Sequence, residues 1–92
     1  RWSVNIEELK KRAIDLEQEL RMLADKSPEV AALAAYEPLT NAIQRAKKSE
    51  ILELEEVSGM YYWKFETEIF WNFPQLGHKY ARFSLMLQGL EE

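Results

Sequence analysis

The chain has 92 residues, of which 47% are hydrophobic and 30% charged, and it contains no cysteine. This length suits a single domain, residues 1–92, with one core, and the missing thiols exclude disulfides and thiolate metal sites. The net charge of −4 argues against nucleic acid as a partner, because binding to a phosphate backbone depends on cationic contacts.

Targeting signals are absent from the sequence as it stands. No apolar run approaches the roughly twenty residues that cross a bilayer, and the chain does not open with the charged start and apolar centre of a signal peptide. We therefore expect a cytoplasmic protein with no membrane partner. The first residue is Arg1 and not methionine, so the sequence can be part of a longer protein.

The first quarter of the chain has the pattern of an amphipathic helix. Its apolar residues recur at spacings of three and four: Trp2, Ile6, Leu9, Ala13, Leu16, Leu20 and Leu23. This stripe predicts a helix from about Asn5 to about Asp25, and Asn5 with Glu8 has the spacing of a capping pair. The stripe suits burial against the rest of the chain or, alternatively, a seam between two copies of the chain.

A second helix is predicted to begin at Ser27, with this serine as N-cap and Pro28 at the first helical position. Apolar periodicity continues to about Ser49. Within this range Pro38 cannot donate a backbone hydrogen bond, and it disfavours helical geometry at the residue before it. We therefore predict that the middle helix is broken at Pro38.

Residues 57–73 hold seven of the eleven aromatic residues, and two periodicities compete there. Alternate positions from Tyr61 to Trp71 carry aromatic or β-branched side chains, which is typical of a half-buried strand. A helix would instead place Tyr62, Phe65, Ile69 and Phe73 on one stripe and leave Trp71 outside it. The strand interpretation is favoured.

The preceding residues, 51–57, favour a β-hairpin with a turn at Ser58 and Gly59. In this register Glu53 faces Lys64 on one side, while apolar partners share the other side. Such cross-strand matching stabilises a hairpin. An isolated hairpin is marginal in water, so this one needs helices to cover its apolar face.

A last amphipathic helix is predicted from about Pro74 to about Gln88, with Gly89 as its C-cap glycine. The sequence thus predicts an α+β fold with three main helices, the middle one broken, and one β-hairpin packed on them. The alternative is an all-α bundle. Large side chains expected in the core are Trp63, Phe65, Ile69, Tyr80 and Phe83.

No catalytic or cofactor motif is found. His78 is the only histidine, and there is neither a glycine-rich phosphate loop nor a nucleophile elbow. The glutamates between residues 50 and 56 lack the spaced oxygen ligands and the glycine of a calcium loop. We therefore expect no enzyme activity, no metal and no cofactor.

The favoured function is a non-enzymatic, small acidic protein-binding module, such as an inhibitor, an antitoxin or immunity-type partner, or an adaptor. It would dock a basic protein through an acidic, aromatic face, since Tyr and Trp are enriched in interfaces and charge complementarity favours binding. The candidate partner-binding residues are Glu53, Glu55, Glu56, Tyr62, Lys64, Glu66 and Phe70. The alternative is a homodimeric assembly subunit joined through the first helix.

Overall fold

The computed structural model describes residues 5–90, and this part of the chain contains no β-strand. The helices, in chain order, are α1 (Ile6–Ala24), α2 (Pro28–Ala34), α3 (Glu37–Lys47), a π-helix (Tyr62–Glu66), α4 (Ile69–Asn72) and α5 (Pro74–Leu87). α1 packs against α2, α3 and α5 and is the central element. The predicted α+β class with a hairpin is therefore wrong, whereas the all-α alternative fits the structure.

α1 confirms the first predicted helix. The Oδ1 atom of Asn5 accepts a hydrogen bond from the Glu8 backbone N–H at 3.1 Å, as the capping pattern predicts. Four residues of the apolar stripe are at most 4% exposed: Leu9, Ala13, Leu16 and Leu20. Trp2, the first residue of the predicted stripe, lies outside the described residues.

The break in the middle helix lies just before the predicted position. Ser27 caps α2 as expected, because its Oγ accepts the Val30 backbone N–H at 3.3 Å. α2 ends at Ala34, Tyr36 has extended backbone, and Pro38 is the second residue of α3. Proline is tolerated in a first helical turn, where the N–H it lacks has no partner within the helix.

The predicted hairpin fails because residues 60–66 and 69–72 are helical. Tyr61, Phe65 and Trp71, which strand alternation turns inward, are 67%, 66% and 84% exposed. Met60 and Ile69 are buried instead. A two-stranded hairpin leaves both of its edges unpaired, whereas a helix satisfies its backbone hydrogen bonds within one segment.

Residues 50–59, here called the connecting segment, do not pair with residues 60–71. Leu52 is 80% exposed, and no ion pair joins Glu53 to Lys64 in the described part of the chain. The segment is held through its buried ends, Ile51 and Val57. Its central Glu55 N–H donates to the carbonyl of Leu87 at 3.1 Å, at the end of α5.

α5 confirms the last predicted helix to within one residue. The helix ends at Leu87, and Gly89 has a φ of 77°. The Gly89 N–H donates to the Met86 carbonyl at 3.1 Å and the Leu90 N–H to the Leu85 carbonyl at 2.8 Å, which is the Schellman arrangement. Within residues 5–90, no helix combines the length and the apolar character needed to span a bilayer.

The predicted core side chains are mostly confirmed. Ile69, Tyr80 and Phe83 are at most 5% exposed, and Trp63 is partly buried against the same cluster. The prediction that Phe65 lies in the core is wrong, since two thirds of its surface is exposed. The core therefore forms between α1, α2, α3 and α5, with residues 60–70 covering one edge.

Candidate docking site

Four large aromatic side chains project from residues 61–71. Tyr61, Tyr62, Phe65 and Trp71 are 67%, 52%, 66% and 84% exposed, and together they are called the aromatic surface. The rings of Tyr61 and Phe65 lie 5.0 Å apart between centroids. Exposed apolar side chains of this size that lie close together, as Tyr61 and Phe65 do, mark interaction sites on soluble proteins.

The π-helix explains why two of these rings, Tyr62 and Phe65, face outward. None of its five residues is buried. Its neighbours Met60 and Ile69 enter the core, and Trp63 lies against the ring of Tyr36, with centroids 5.8 Å apart. With Trp63 held on the inner side, Tyr62 and Phe65 are left on the outer side. π-Helical turns are rare and occur frequently at functional sites.

Thr67 ends the π-helix through three hydrogen bonds. Its N–H donates to the Tyr62 carbonyl at 3.1 Å, five residues earlier, and its hydroxyl donates to the Trp63 carbonyl at 2.8 Å. The same hydroxyl accepts the Ile69 N–H at 3.4 Å. Thr67 therefore connects the π-helix directly to the start of α4.

An open cleft of about 720 Å³ lies between α5 and residues 56–70. Its wall includes Phe70 and Tyr80, whose rings stack at 5.3 Å with an interplanar angle of 13°. Gly77 allows this packing, because a Cβ atom at that position would lie 3.0 Å from the Cβ of Phe70. The volume falls within the range of pockets that hold organic ligands or side chains of a partner.

A second cavity of about 260 Å³ adjoins the cleft. Glu56, Lys64 and Tyr80 line both of them. The second cavity continues to Tyr61 and Phe65 of the aromatic surface. The two cavities together, here called the groove, therefore adjoin through shared residues and reach two exposed aromatic rings.

The groove carries both polar and charged groups. Glu56 and Lys64 are exposed where the two cavities meet, and the Lys64 ammonium lies 5.5 Å from the centroid of the Phe65 ring. Burial raises the pKa of the Tyr80 phenol, and the negative charge of Glu56 raises it further. The Tyr80 phenol is therefore neutral at physiological pH.

Three of the predicted partner-binding residues, Glu56, Lys64 and Phe70, meet in the cleft. Tyr62 and Glu66 lie on the π-helix and are exposed, outside both cavities. Glu53 is also exposed, on the connecting segment. These six residues remain candidates, although a helical surface and a loop present them rather than the face of a hairpin.

Glu55 differs from the other predicted residues because it forms an internal ion pair. Its Oε2 accepts from Nη1 of Arg45 at 2.7 Å, and its Oε1 accepts from Nη2 of the same guanidinium. The hydrogen bond to Glu55 raises the pKa of Arg45. Bidentate pairs of this kind fix geometry, so Glu55 holds the connecting segment on α3.

Three exposed aromatic residues were not predicted to belong to the site: Tyr61, Phe65 and Trp71. A signal for the first two was available, because residues four apart share one face of a helix and Met60 and Trp63 define a different face. Trp71 has no such signal, since α4 contains only four residues. The structure also places His78 and Leu85 along the cleft.

The described residues include no group of three or more His, Asp or Glu side chains close enough together to hold a metal ion. The groove instead offers apolar side chains, one carboxylate and one ammonium group. Such a set can bury apolar side chains and pair with single charges on a bound molecule.

Comparison of the chain with protein-family models, with curated proteins and with solved structures gave no match. The function of the site is therefore inferred from its geometry and chemistry alone.

Proposed function

We propose that this chain is a binding module that docks a basic protein through the aromatic surface and the acidic residues around it. The observation that carries the proposal is the exposure of Tyr61, Tyr62, Phe65 and Trp71, each more than half accessible. Module types that fit are an inhibitor, an antitoxin or immunity-type partner, or an adaptor, acting without catalysis.

The exposed rings lie outside the core of this chain. The core is filled by aliphatic side chains with Phe83 and Tyr80, and the exposed rings contribute little to it. Covering apolar area stabilises a complex by about 25 cal/mol for each Å² removed from water. Tyr and Trp are also the residues most enriched among those that dominate binding energy in protein interfaces.

Charge favours a basic partner. Four exposed glutamates accompany the aromatic surface and the groove: Glu53, Glu56, Glu66 and Glu68. Lys64 is the only cation between residues 49 and 78. An acidic rim accelerates association with a basic protein and disfavours acidic partners.

The homodimer through the first helix has less support. The stripe that would form its seam is covered by α2, α3 and α5 of the same chain. Exposing Leu9 or Leu16 to a second copy would remove buried contacts within each chain, and deleting such contacts costs about 2–5 kcal/mol per side chain. The proposal therefore uses the aromatic surface instead.

The test is recovery of proteins from the native host on immobilised chain. Tyr62→Ala with Trp71→Ala removes two exposed rings outside the groove, and Glu53→Lys with Glu66→Lys reverses two charges of the rim. We expect each pair to abolish recovery of a basic protein that the unchanged chain retains, with folding checked by circular dichroism.

Matched controls distinguish loss of the docking site from the non-specific effects of truncating an exposed side chain or reversing surface charge. Met22→Ala removes a side chain that is 51% exposed on α1, and Glu7→Lys with Asp25→Lys gives the same charge change at the two ends of that helix. Both controls should retain the basic protein. Equal recovery by all variants, or recovery of acidic proteins only, contradicts the proposal.

A further inference from the structure

The groove carries unpaired opposite charges at its centre. Glu56 and Lys64 both line the two cavities, but no ion pair of either residue is found within residues 5–90. Apolar groups extend to either side, with Leu85 in the cleft and Phe65 in the second cavity. A bound segment therefore meets the apolar side chains of the cleft, then the two charged residues, and then the Phe65 ring in a second cavity that also carries polar groups.

We infer that the groove binds a basic amphipathic helix of the partner, with two apolar side chains in the two cavities and a Lys or Arg between them against Glu56. This inference rests on the proposed function, because it identifies which part of the basic partner is recognised. The larger cavity, about 720 Å³, takes the bulkier apolar anchor, and the smaller, about 260 Å³, takes the lesser one.

A helix is the occupant that suits the walls. One wall is α5, and the other is formed by the π-helix and residues that flank it. Strand addition needs a free sheet edge, and the described residues include no strand. An amphipathic helix presents apolar anchors three, four or seven residues apart on one face, which suits two adjoining cavities that share lining residues.

The charged residues of the groove predict which residue types the partner helix carries. A partner cation beside Glu56 gains an ion pair with a carboxylate that forms no ion pair within residues 5–90. Lys64, which lines the same two cavities, disfavours a long run of cations in the partner. The expected motif is therefore two apolar anchors with a Lys or Arg between them, and not a uniformly basic helix.

The test is selection of binders to the full chain from a displayed library of helical peptides of about four turns, randomised on every face. We expect enriched peptides to share the two anchors and the intervening cation. Synthetic peptides from the selection are then titrated against variants, with fluorescence anisotropy as the readout.

Two variants test the two features of the groove. Glu56→Lys should weaken binding by about tenfold or more, and a peptide with its central cation changed to Glu should recover affinity for this variant. Leu85→Ser, at a residue 38% exposed, removes apolar wall and should weaken binding of both peptides. Asp25→Lys, on the end of α1, should leave affinity unchanged.

Several results would overturn the inference: no enrichment, enrichment without a central cation, or affinities unaffected by Glu56→Lys and Leu85→Ser. Its failure can be told apart from that of the proposed function. If the host protein is lost with Tyr62→Ala and Trp71→Ala but retained with Glu56→Lys and Leu85→Ser, the aromatic surface docks the partner and the groove does not bind a helix.

Discussion

Gly59 and Tyr36 show how a single contact positions the residues before the π-helix. The Tyr36 hydroxyl donates a hydrogen bond to the Ser58 carbonyl at 2.8 Å. Gly59 has a φ of 77°, and a Cβ atom there would lie 1.8 Å from the oxygen of the Tyr36 hydroxyl. Both the backbone conformation and the available space therefore require glycine.

We predict that Gly59→Ala destabilises the fold by about 2 kcal/mol or more, because left-handed geometry and crowding both oppose the new methyl group. Urea unfolding measures the change. In a Tyr36→Phe background the nearest atom would be Cζ, at 3.1 Å, so the same substitution should cost less there. Equal costs in the two backgrounds would show that backbone strain alone is responsible.

At single positions, the sequence predicts features that depend on close neighbours along the chain. The caps at Asn5, Ser27 and Gly89 were predictable because each concerns backbone groups within four residues. The contact between Tyr36 and the turn at Ser58 was not predictable, since 22 residues separate them. The ion pair between Glu55 and Arg45 was not predictable for the same reason, because the two residues are not close neighbours along the chain.

At the scale of elements, the end of α3 contains an unfavourable residue. Ser49 has a φ of 60°, where a side chain is strained. Its N–H donates to the Ala46 carbonyl at 3.1 Å, and the Glu50 N–H donates to the Arg45 carbonyl at 2.8 Å. This is the Schellman arrangement found at the end of α5, but with serine in the position that favours glycine.

Ser49→Gly is therefore predicted to stabilise the fold by about 1 kcal/mol, because glycine adopts this conformation without strain. The midpoint of urea unfolding should rise with an unchanged slope. Ser49→Ala is the matched control and should give no gain, since alanine keeps the Cβ atom. A gain in the alanine variant would assign the effect to loss of the hydroxyl.

The long helices and the aromatic stretch differ in how well sequence predicts them. α1 and α5 were predictable because their apolar stripes persist over several turns. Residues 61–71 alternate like a strand, yet four of their seven large apolar or aromatic side chains are exposed and lie outside the core. Prediction of secondary structure from apolar periodicity assumes that apolar residues face inward. Exposed aromatic rings therefore produce a periodicity that indicates the wrong type of secondary structure.

At the scale of the whole molecule, ion pairs and hydrogen bonds between side chains join α3 and α5 to α1. Lys79 of α5 forms ion pairs with Asp15 at 3.1 Å and with Glu19 at 3.0 Å, which raise its pKa. Glu17 of α1 accepts from both Lys47 and Gln44 of α3 at 2.7 Å. These contacts fix how α3 and α5 lie on the central helix.

Glu17 makes stability depend on pH. Burial alone would raise its pKa, but the hydrogen bonds from Lys47 and Gln44 and the nearby positive charges outweigh burial and lower the pKa below its ordinary value of 4.5. The ionised form is therefore the one that the fold favours. Its stabilising contribution is complete above about pH 4.5 and is lost as the pH falls through the lower pKa of the folded state.

We predict that Glu17→Gln lowers the free energy of unfolding by about 1–2 kcal/mol at pH 7, and that this difference shrinks as the pH falls below about 4. Urea unfolding of both proteins across that range measures it. Lys47→Met, which removes the partner, should reduce the same acid sensitivity. A constant difference between Glu17→Gln and the unchanged protein at all pH values would contradict this account.

The sequence by itself determined the first and last helices, the caps and the acidic character of the chain, because periodicity, capping and charge act over a few residues. Only the tertiary structure decided that Tyr61, Phe65 and Trp71 face solvent and that Glu56 and Lys64 meet in a groove. Both results depend on how residues 50–70 fit against α5. The side chains of this segment compete for the same part of the core. Met60 and Ile69 are buried there, and the aromatic rings remain exposed.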